Sequence, residues 1–179
     1  MATYAAQIDE MDYNIGSLVD FLSENYQLDN TIMIFLADNG GCAEFISSGP
    51  DTSTEAIGSA ESYESYRLPW ANASNTPFRL YKHWTHEGGI STPLILHWPH
   101  GIKDQGKMVH VPAQINDIMP TLIELGNATY PEIRNGKKIH PLEGTSLLPV
   151  LNDLPGEERA LFWEHEANRA VRKDKWKLV

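Results

Sequence analysis

Apolar residues recur at intervals of three and four near the start of the chain, and a continuous apolar run follows a short polar break. The first pattern predicts a helix with one apolar face. The second, residues 31–37 (TIMIFLA), lies between a helix and a turn and is typical of a buried parallel strand. The order of helix, loop, strand and polar tip predicts half of a βαβ unit. The apolar positions of the helix are Tyr4, Ile8, Met11, Ile15, Leu18, Val19 and Leu22.

The middle of the chain alternates irregular stretches with short apolar ones. Residues 42–76 show no strong period and predict a long surface loop, a common place for substrate selection. Residues 92–98 (TPLILHW) predict a second buried strand, and residues 109–113 predict a further short strand. Residues 116–125 predict a helix with Asp117 near its start, Pro120 in its first turn and Gly126 just past its end.

Proline and glycine divide the chain after residue 127 into short pieces. Residues 144–151 predict a small helix. Residues 160–164, 169–172 and 175–179 predict short strands of an antiparallel sheet. The whole pattern therefore indicates the α/β class, followed by the start of a small antiparallel sheet.

The charge of the chain argues against one class of partner. The 179 residues include 24 acidic and 14 basic side chains, a formal net charge of −10, whereas nucleic-acid binding needs a basic face.

No apolar run approaches the roughly 18 residues that span a membrane, and the N-terminus shows no signal-peptide pattern. Helical periodicity begins almost at the first residue and the last residues resemble half a hairpin, so we expect a fragment of a longer chain.

Asp38 and Asn39 lie where the first apolar run ends. Ligands in open α/β sheets bind at the carboxyl ends of strands. A carboxylate beside a side-chain amide offers two hard oxygen donors, which suit Ca²⁺ or Mg²⁺ better than Zn²⁺. The alternative is a simple turn, because Asp-Asn-Gly is also favourable turn chemistry.

A second polar segment carries Lys82, His83, His86 and Glu87 and ends in two glycines. A lysine with nearby histidines in an acidic chain is suited to holding an oxyanion. The glycines would let the backbone approach a ligand closely. The alternative is a solvated loop with a tight turn, and the aromatic and glycine neighbours argue against a helix that would pair the two histidines as metal ligands.

Two further groups are weaker candidates for catalytic residues. Cys42 has neither a following proline nor a nearby arginine, so we interpret it as a small buried or half-buried residue. Glu164, His165 and Glu166 resemble an acid–base cluster, but a strand end that faces solvent explains them as well.

Four stretches in this order resemble the type I sulfatases (arylsulfatases) of the alkaline-phosphatase superfamily. Together they span most of residues 4–126, and the chain end resembles the start of the family's C-terminal sheet. Each motif alone is weak, but four in order are specific. The stretches are YAAQIDEMDYNIGSLVDFL, TIMIFLADNGG, NTPFRLYKHWTHEGGISTPLILHWP and NDIMPTLIELG.

The resemblance implies a fold, an activity and roles for particular residues. The fold would be an alkaline-phosphatase-like α/β sandwich, with residues 1–126 in the catalytic domain and 127–179 as a linker and the beginning of the C-terminal antiparallel subdomain. The activity would be hydrolysis of sulfate esters, small or glycan, with a formylglycine nucleophile and Ca²⁺ or Mg²⁺. Asp38 and Asn39 would ligate the metal. Lys82 would contact the sulfate as the catalytic residue, and His86 would bind the substrate with it.

The chain departs from the family pattern at the nucleophile. No Cys/Ser-x-Pro/Ala-x-Arg motif occurs, and residues 91–95 come closest but lack the arginine. We therefore expect formylglycine in an N-terminal part, and we expect the isolated chain to be inactive and to fold poorly. The alternatives are a phosphomonoesterase or phosphonate hydrolase of the same superfamily, against which Asn39 argues, and a truncated, non-catalytic binding module.

Overall fold

The computed structural model describes residues 1–45, 57–60 and 65–179. Its helices and strands agree with most of the elements that the sequence predicts. The helices are α1 (Ala2–Glu24), α2 (Arg67–Asn75), α3 (Glu87–Ile90), α4 (Ile118–Leu125) and α5 (Leu148–Leu151). The strands are β1 (Met33–Leu36), β2 (Leu94–His97), β3 (Ile133–Arg134), β4 (Lys137–Lys138), β5 (Ala160–His165), β6 (Asn168–Lys173) and β7 (Trp176–Leu178).

The first helix has the predicted extent, but its apolar face is not covered by the described residues. Ile8 is 43% exposed and Leu18 is 53% exposed, and no residue of α1 is buried. One tertiary aromatic contact is the stacking of Tyr4 on Tyr66, with ring centroids 4.9 Å apart. Within the described part of the chain, no helix is both long enough and apolar enough to cross a membrane.

Strands β1 and β2 pair with each other, and their direction corrects the prediction. The pairing is antiparallel, with Met33 opposite His97 and Leu36 opposite Leu94. The parallel strand and half βαβ unit expected for residues 31–37 are therefore not found, since β1 has no parallel neighbour among the described residues. Burial is also lower than expected, because Phe35 is 41% exposed and Ile95 is 59% exposed. An apolar run indicates a strand but carries no information about the direction of its neighbour or the layers that cover it.

Two other sequence predictions are corrected. Helix α2 occupies residues that we expected in a loop. It was hard to foresee because it is short and polar, with only Ala71 buried, and its Pro69 is tolerated in the first turn. The rest of the predicted loop includes residues 46–56 and 61–64, which lie outside the described residues. Residues 109–113 form no strand, because no described segment pairs with them.

The C-terminal sheet is antiparallel, as predicted, in the order β5-β6-β7. Its two inward residues, Leu161 and Ala170, are 4% and 7% exposed. The small hairpin of β3 and β4 was not predicted, although its turn has a recognisable signal. Asn135 and Gly136 both have positive φ, 52° and 74°, as an Asn-Gly hairpin turn requires.

A wholly buried aspartate organises the region around α4. Helix α4 follows a short 3₁₀ turn, Ile115–Asp117, has Pro120 in its first turn and is capped by Gly126, as predicted. Asp117 accepts hydrogen bonds from the backbone N–H groups of Gln114 (2.7 Å) and Thr145 (2.9 Å) and pairs with Arg159.

Thr121 continues this network from the next turn of the helix. Its hydroxyl donates to the Asp117 carbonyl at 2.7 Å and accepts from the Leu147 N–H at 2.9 Å. We call these residues the Asp117 centre. It fastens α4 to the segment before α5 and to the start of β5. The members of the Asp117 centre are Gln114, Asp117, Thr121, Thr145, Leu147 and Arg159.

Candidate functional site

The tip of β1 is hydrogen-bonded to the segment that contains Lys82. The Gly40 N–H donates to the Gly89 carbonyl at 2.9 Å, and the Lys82 N–H donates to the Gly41 carbonyl at 3.0 Å. Two stretches more than 40 residues apart in sequence therefore meet as backbone against backbone. Asp38, Asn39 and Lys82 line one cleft with a volume of about 1390 Å³. We call residues 38–41 the strand tip and residues 79–89 the Lys82 segment.

Glycines make this close approach possible. A Cβ at Gly40 would lie 1.7 Å from the Gly88 carbonyl oxygen, and a Cβ at Gly88 would lie 2.0 Å from the Leu80 carbonyl oxygen. A Cβ at Gly89 would lie 2.0 Å from the Trp84 carbonyl oxygen. We expected the two glycines of the Lys82 segment to admit a ligand, but the structure shows that they admit neighbouring backbone.

Asn75, at the end of α2, joins the same two stretches with its side chain. Its Oδ1 accepts from the Gly41 N–H at 3.0 Å, and its Nδ2 donates to the Leu80 carbonyl at 3.1 Å. The sequence analysis missed this residue. A single asparagine before a Thr-Pro pair gives no periodic or motif signal, so only the tertiary structure shows its position.

The side-chain oxygens of Asp38 and Asn39 accept no hydrogen bond from any described residue. Asp38 is exposed, and no described residue donates a hydrogen bond to its carboxylate. Asn39 is half-buried, and its Nδ2 donates to the Gly40 carbonyl at 2.9 Å, which leaves its Oδ1 without a partner among the described residues. Two hard oxygen atoms are thus available at one end of the cleft, and this donor set fits Ca²⁺ or Mg²⁺.

Lys82 and His86 differ in their electrostatic surroundings. Lys82 is half-buried in the wall of the cleft, whereas His86 is half-buried and does not line the cleft. Burial lowers the pKa of His86 below its ordinary value of 6.5, and the positive charges of Arg79 and Lys177 lower it further. His86 is therefore neutral at pH 7, so it offers a hydrogen bond rather than a second cation.

The C-terminal sheet contacts the Lys82 segment through an ion pair. The Lys177 Nζ lies 2.6 Å from the Glu87 Oε1, and the same ammonium lies 5.4 Å from the centre of the Trp163 ring. No local pattern predicts this pair, since its members are 90 residues apart. The contact links β7 to the first residue of α3.

The two histidines of the Lys82 segment have different neighbours. His83 is exposed and lies beside Glu166 and His165 at the tip of the β5–β6 hairpin, whereas His86 lies near Arg79 and Lys177. The expectation that the two histidines do not act as a helical ligand pair is consistent with this separation. Between them, Thr85 is 2% exposed, and its hydroxyl has no partner among the described residues. Cys42, after the strand tip, is half-buried, as predicted.

Comparison with solved structures defines the fold class. A PsFucS1 sulfatase from Pseudoalteromonas sp. superposes with a TM-score of 0.63 at 25% identity, covering 94% of this chain and 28% of that one. Ps i-CgsB, solved in complex with k-i-k-neocarrahexaose, gives a TM-score of 0.66 at 26% identity, covering 97% and 33%. The chain is thus an α/β protein of the alkaline-phosphatase-like fold.

Sequence comparison identifies the family. The family model described as Sulfatase matches residues 1–128, so the chain belongs to the sulfatase family. An uncharacterized sulfatase of Schizosaccharomyces pombe is 31% identical over 194 residues, covering 100% of this chain and 35% of the relative. An arylsulfatase of Klebsiella aerogenes is 34% identical over 160 residues, covering 84% and 34%. The chain spans about a third of the length of these relatives.

Proposed function

We propose that this chain carries part of the active site of a metal-dependent sulfatase, which hydrolyses sulfate esters when the rest of the enzyme is present. The backbone pairing of the strand tip with the Lys82 segment supports the proposal most directly. Through the bonds of Gly40 to Gly89 and of Lys82 to Gly41, an oxygen-donor pair and a lysine line one cleft. This combination suits a doubly charged ion and an anionic substrate.

In this proposal, Asp38 and Asn39 hold Ca²⁺ or Mg²⁺. Their oxygens have no competing hydrogen-bond donors among the described residues. The bound ion would stabilise negative charge on the sulfate oxygens and assist the nucleophile. Calcium takes about six to eight oxygen ligands, so two donors need further ligands from outside this chain, together with the formylglycine.

Lys82 and His86 would divide the recognition of the substrate. The ammonium of Lys82 would pair with a sulfate oxygen and stabilise the charge that develops on the ester during cleavage. His86 does not line the cleft, so its neutral ring would hydrogen-bond an uncharged part of the substrate that extends beyond the cleft. The oligosaccharide bound to Ps i-CgsB favours a sulfated glycan as one substrate class, with small sulfate esters as the other.

The proposal is tested by a chimera in which this chain replaces the matching third of the Klebsiella arylsulfatase. We expect the chimera to hydrolyse an aryl sulfate. Lys82→Ala should lower kcat by about 10²–10³ fold, the typical cost of one group that stabilises transition-state charge. Asp38→Ala should raise the Ca²⁺ concentration needed for half-maximal rate. Lys103→Ala, at an exposed lysine outside the cleft, is the control.

The outcomes separate the candidate functions. A soluble, active chimera that keeps its full rate after Lys82→Ala would refute the role of Lys82. Preference for an aryl phosphate over an aryl sulfate would favour the phosphomonoesterase alternative, and a soluble chimera without any turnover would favour a binding module. The isolated chain should turn over no aryl sulfate above the level of its Lys82→Ala variant.

A further inference from the structure

Three metal-binding side chains meet where the β5–β6 hairpin touches the Lys82 segment. His83 Nδ1 lies 3.3 Å from Glu166 Oε2. The rings of His83 and His165 meet edge to face, with centroids 5.5 Å apart. One ligand atom from each of the three residues lies within 4.8 Å of the other two. All three are exposed, so an ion from solvent can reach them directly.

The backbone at this cluster adopts conformations that ordinary side chains avoid. Glu166 and Ala167 form the two-residue hairpin turn with φ values of 48° and 69°, a geometry that usually selects asparagine and glycine. His83 has a φ of 92°. Left-handed conformations are sterically unfavourable for residues that carry a Cβ. Unfavourable conformations of this kind are concentrated at functional sites, and here they occur on both sides of one contact.

The donor set selects a particular class of ion. Two imidazoles and one carboxylate suit Zn²⁺ and related first-row ions, whereas Ca²⁺ and Mg²⁺ require more oxygen ligands. Zinc bonds of about 2.0–2.1 Å place tetrahedral ligand atoms about 3.3 Å apart. The three atoms must therefore approach one another by up to about 1.5 Å, which rotation of exposed side chains permits.

We propose that His83, His165 and Glu166 form a three-ligand site for Zn²⁺ or a similar transition-metal ion, with one position left to water. The site shares no residue with the oxygen pair of Asp38 and Asn39, although His83 and His165 line the same cleft, and it does not depend on the sulfatase proposal. An ion held there cross-links the hairpin tip to the residue that follows Lys82. It thereby restricts the motion of the Lys82 segment against the C-terminal sheet.

The test uses the soluble chimera with the Klebsiella arylsulfatase described above, without a polyhistidine tag and saturated with Ca²⁺. Titration with Co²⁺ should give the visible absorption bands of a four-coordinate site at one equivalent, and Zn²⁺ should abolish them. His83→Ala, His165→Ala and Glu166→Gln should each weaken binding by at least about tenfold, since each removes one ligand. Glu166→Gln leaves the turn intact, because it changes only the terminal group of the side chain. A large excess of Ca²⁺ should not displace Co²⁺.

Control variants outside the cluster should leave Co²⁺ binding unchanged. His140→Ala and Glu132→Gln alter exposed residues outside the cluster and should bind Co²⁺ as the parent chain does. Asp38→Ala should also leave Co²⁺ binding unchanged, which distinguishes this site from the proposed calcium site. The absence of the absorption bands, or an equal loss of affinity in His140→Ala, would overturn the proposal and leave His83 and Glu166 as a direct side-chain contact only.

Discussion

Asp117 and Asp38 each lie at the end of a regular element, and the protein surrounds them in opposite ways. Asp117 is wholly buried, and its carboxylate oxygens are engaged by two backbone N–H groups and by Arg159. Asp38 is exposed, and no described residue donates to it. Both are aspartates beside turns in the sequence. A buried carboxylate whose oxygens are hydrogen-bonded by the protein stabilises the fold. An exposed carboxylate beside a cleft, with no hydrogen-bond donor from the described residues, is available to a ligand.

The largest expected effect lies at the Asp117 centre. Asp117→Ala leaves Arg159 without its partner and two backbone N–H groups without acceptors. We expect a loss of about 3–5 kcal/mol of local stability, the usual cost of removing one member of a buried ion pair. Hydrogen exchange at the Thr145 and Leu147 amides measures this loss. Asp9→Ala, on the exposed side of α1, is the control, and an equal effect in both variants would contradict the comparison.

The second-largest expected loss of stability lies at the contact between the strand tip and the Lys82 segment. Gly40→Ala places a methyl group on the Gly88 carbonyl, so the two backbones must separate at a cost of about 1–3 kcal/mol. Faster exchange of the Lys82 amide would report the separation. Gly16→Ala is the matched variant, because its Cβ meets nothing within 4 Å. That change should instead stabilise α1 by about 0.5–1 kcal/mol.

Two buried threonines allow a sharper version of the same comparison. The Thr121 hydroxyl donates and accepts within the Asp117 centre, whereas the Thr85 hydroxyl has no partner among the described residues. Thr121→Val should therefore cost about 1–3 kcal/mol of stability, and Thr85→Val should be neutral or stabilising. Denaturant midpoints of the two variants, each made in the soluble chimera, measure the difference. Similar destabilisation by both would refute the distinction between the two hydroxyls.

The smallest expected effect is electrostatic. Lys177→Met removes one positive charge that lowers the pKa of His86, so this pKa should rise toward 6.5. Because the folded state holds His86 with a lowered pKa, it binds fewer protons than the unfolded state just below pH 6.5. The free energy of unfolding that His86 contributes therefore falls as the pH drops below 6.5. This fall should be smaller in Lys177→Met, because the folded-state pKa of His86 lies closer to 6.5 there. NMR titration of the His86 ring protons measures the shift, and an unchanged pKa would contradict the assigned contact.

The sequence predicted the elements better than their relationships. Periodicity located α1, α4 and the three C-terminal strands, and an apolar run located β1. The direction of β1 against β2 could not be predicted, because side-chain alternation is the same for either direction. Helix α2 was missed because a short polar helix is stabilised by its tertiary contacts rather than by an apolar face.

The candidate site was predictable only as a set of residue types. Asp38, Asn39 and Lys82 were found from local sequence, and the structure adds the hydrogen bonds that join their segments. Asn75 and Lys177 were missed because their partners are distant in sequence. The roles of Asp38, Asn39, Lys82 and His86, and the division into residues 1–126 and 127–179, stay predictions.

Cys42 is the single thiol of the chain and follows directly after Gly41, whose carbonyl accepts from Lys82. A thiol-reactive fluorophore would therefore label one position without any engineered mutation. We expect its reaction rate to rise when the strand tip and the Lys82 segment separate, because Cys42 directly follows Gly41 and is half-buried. The native chain thus contains a built-in kinetic reporter beside its candidate site.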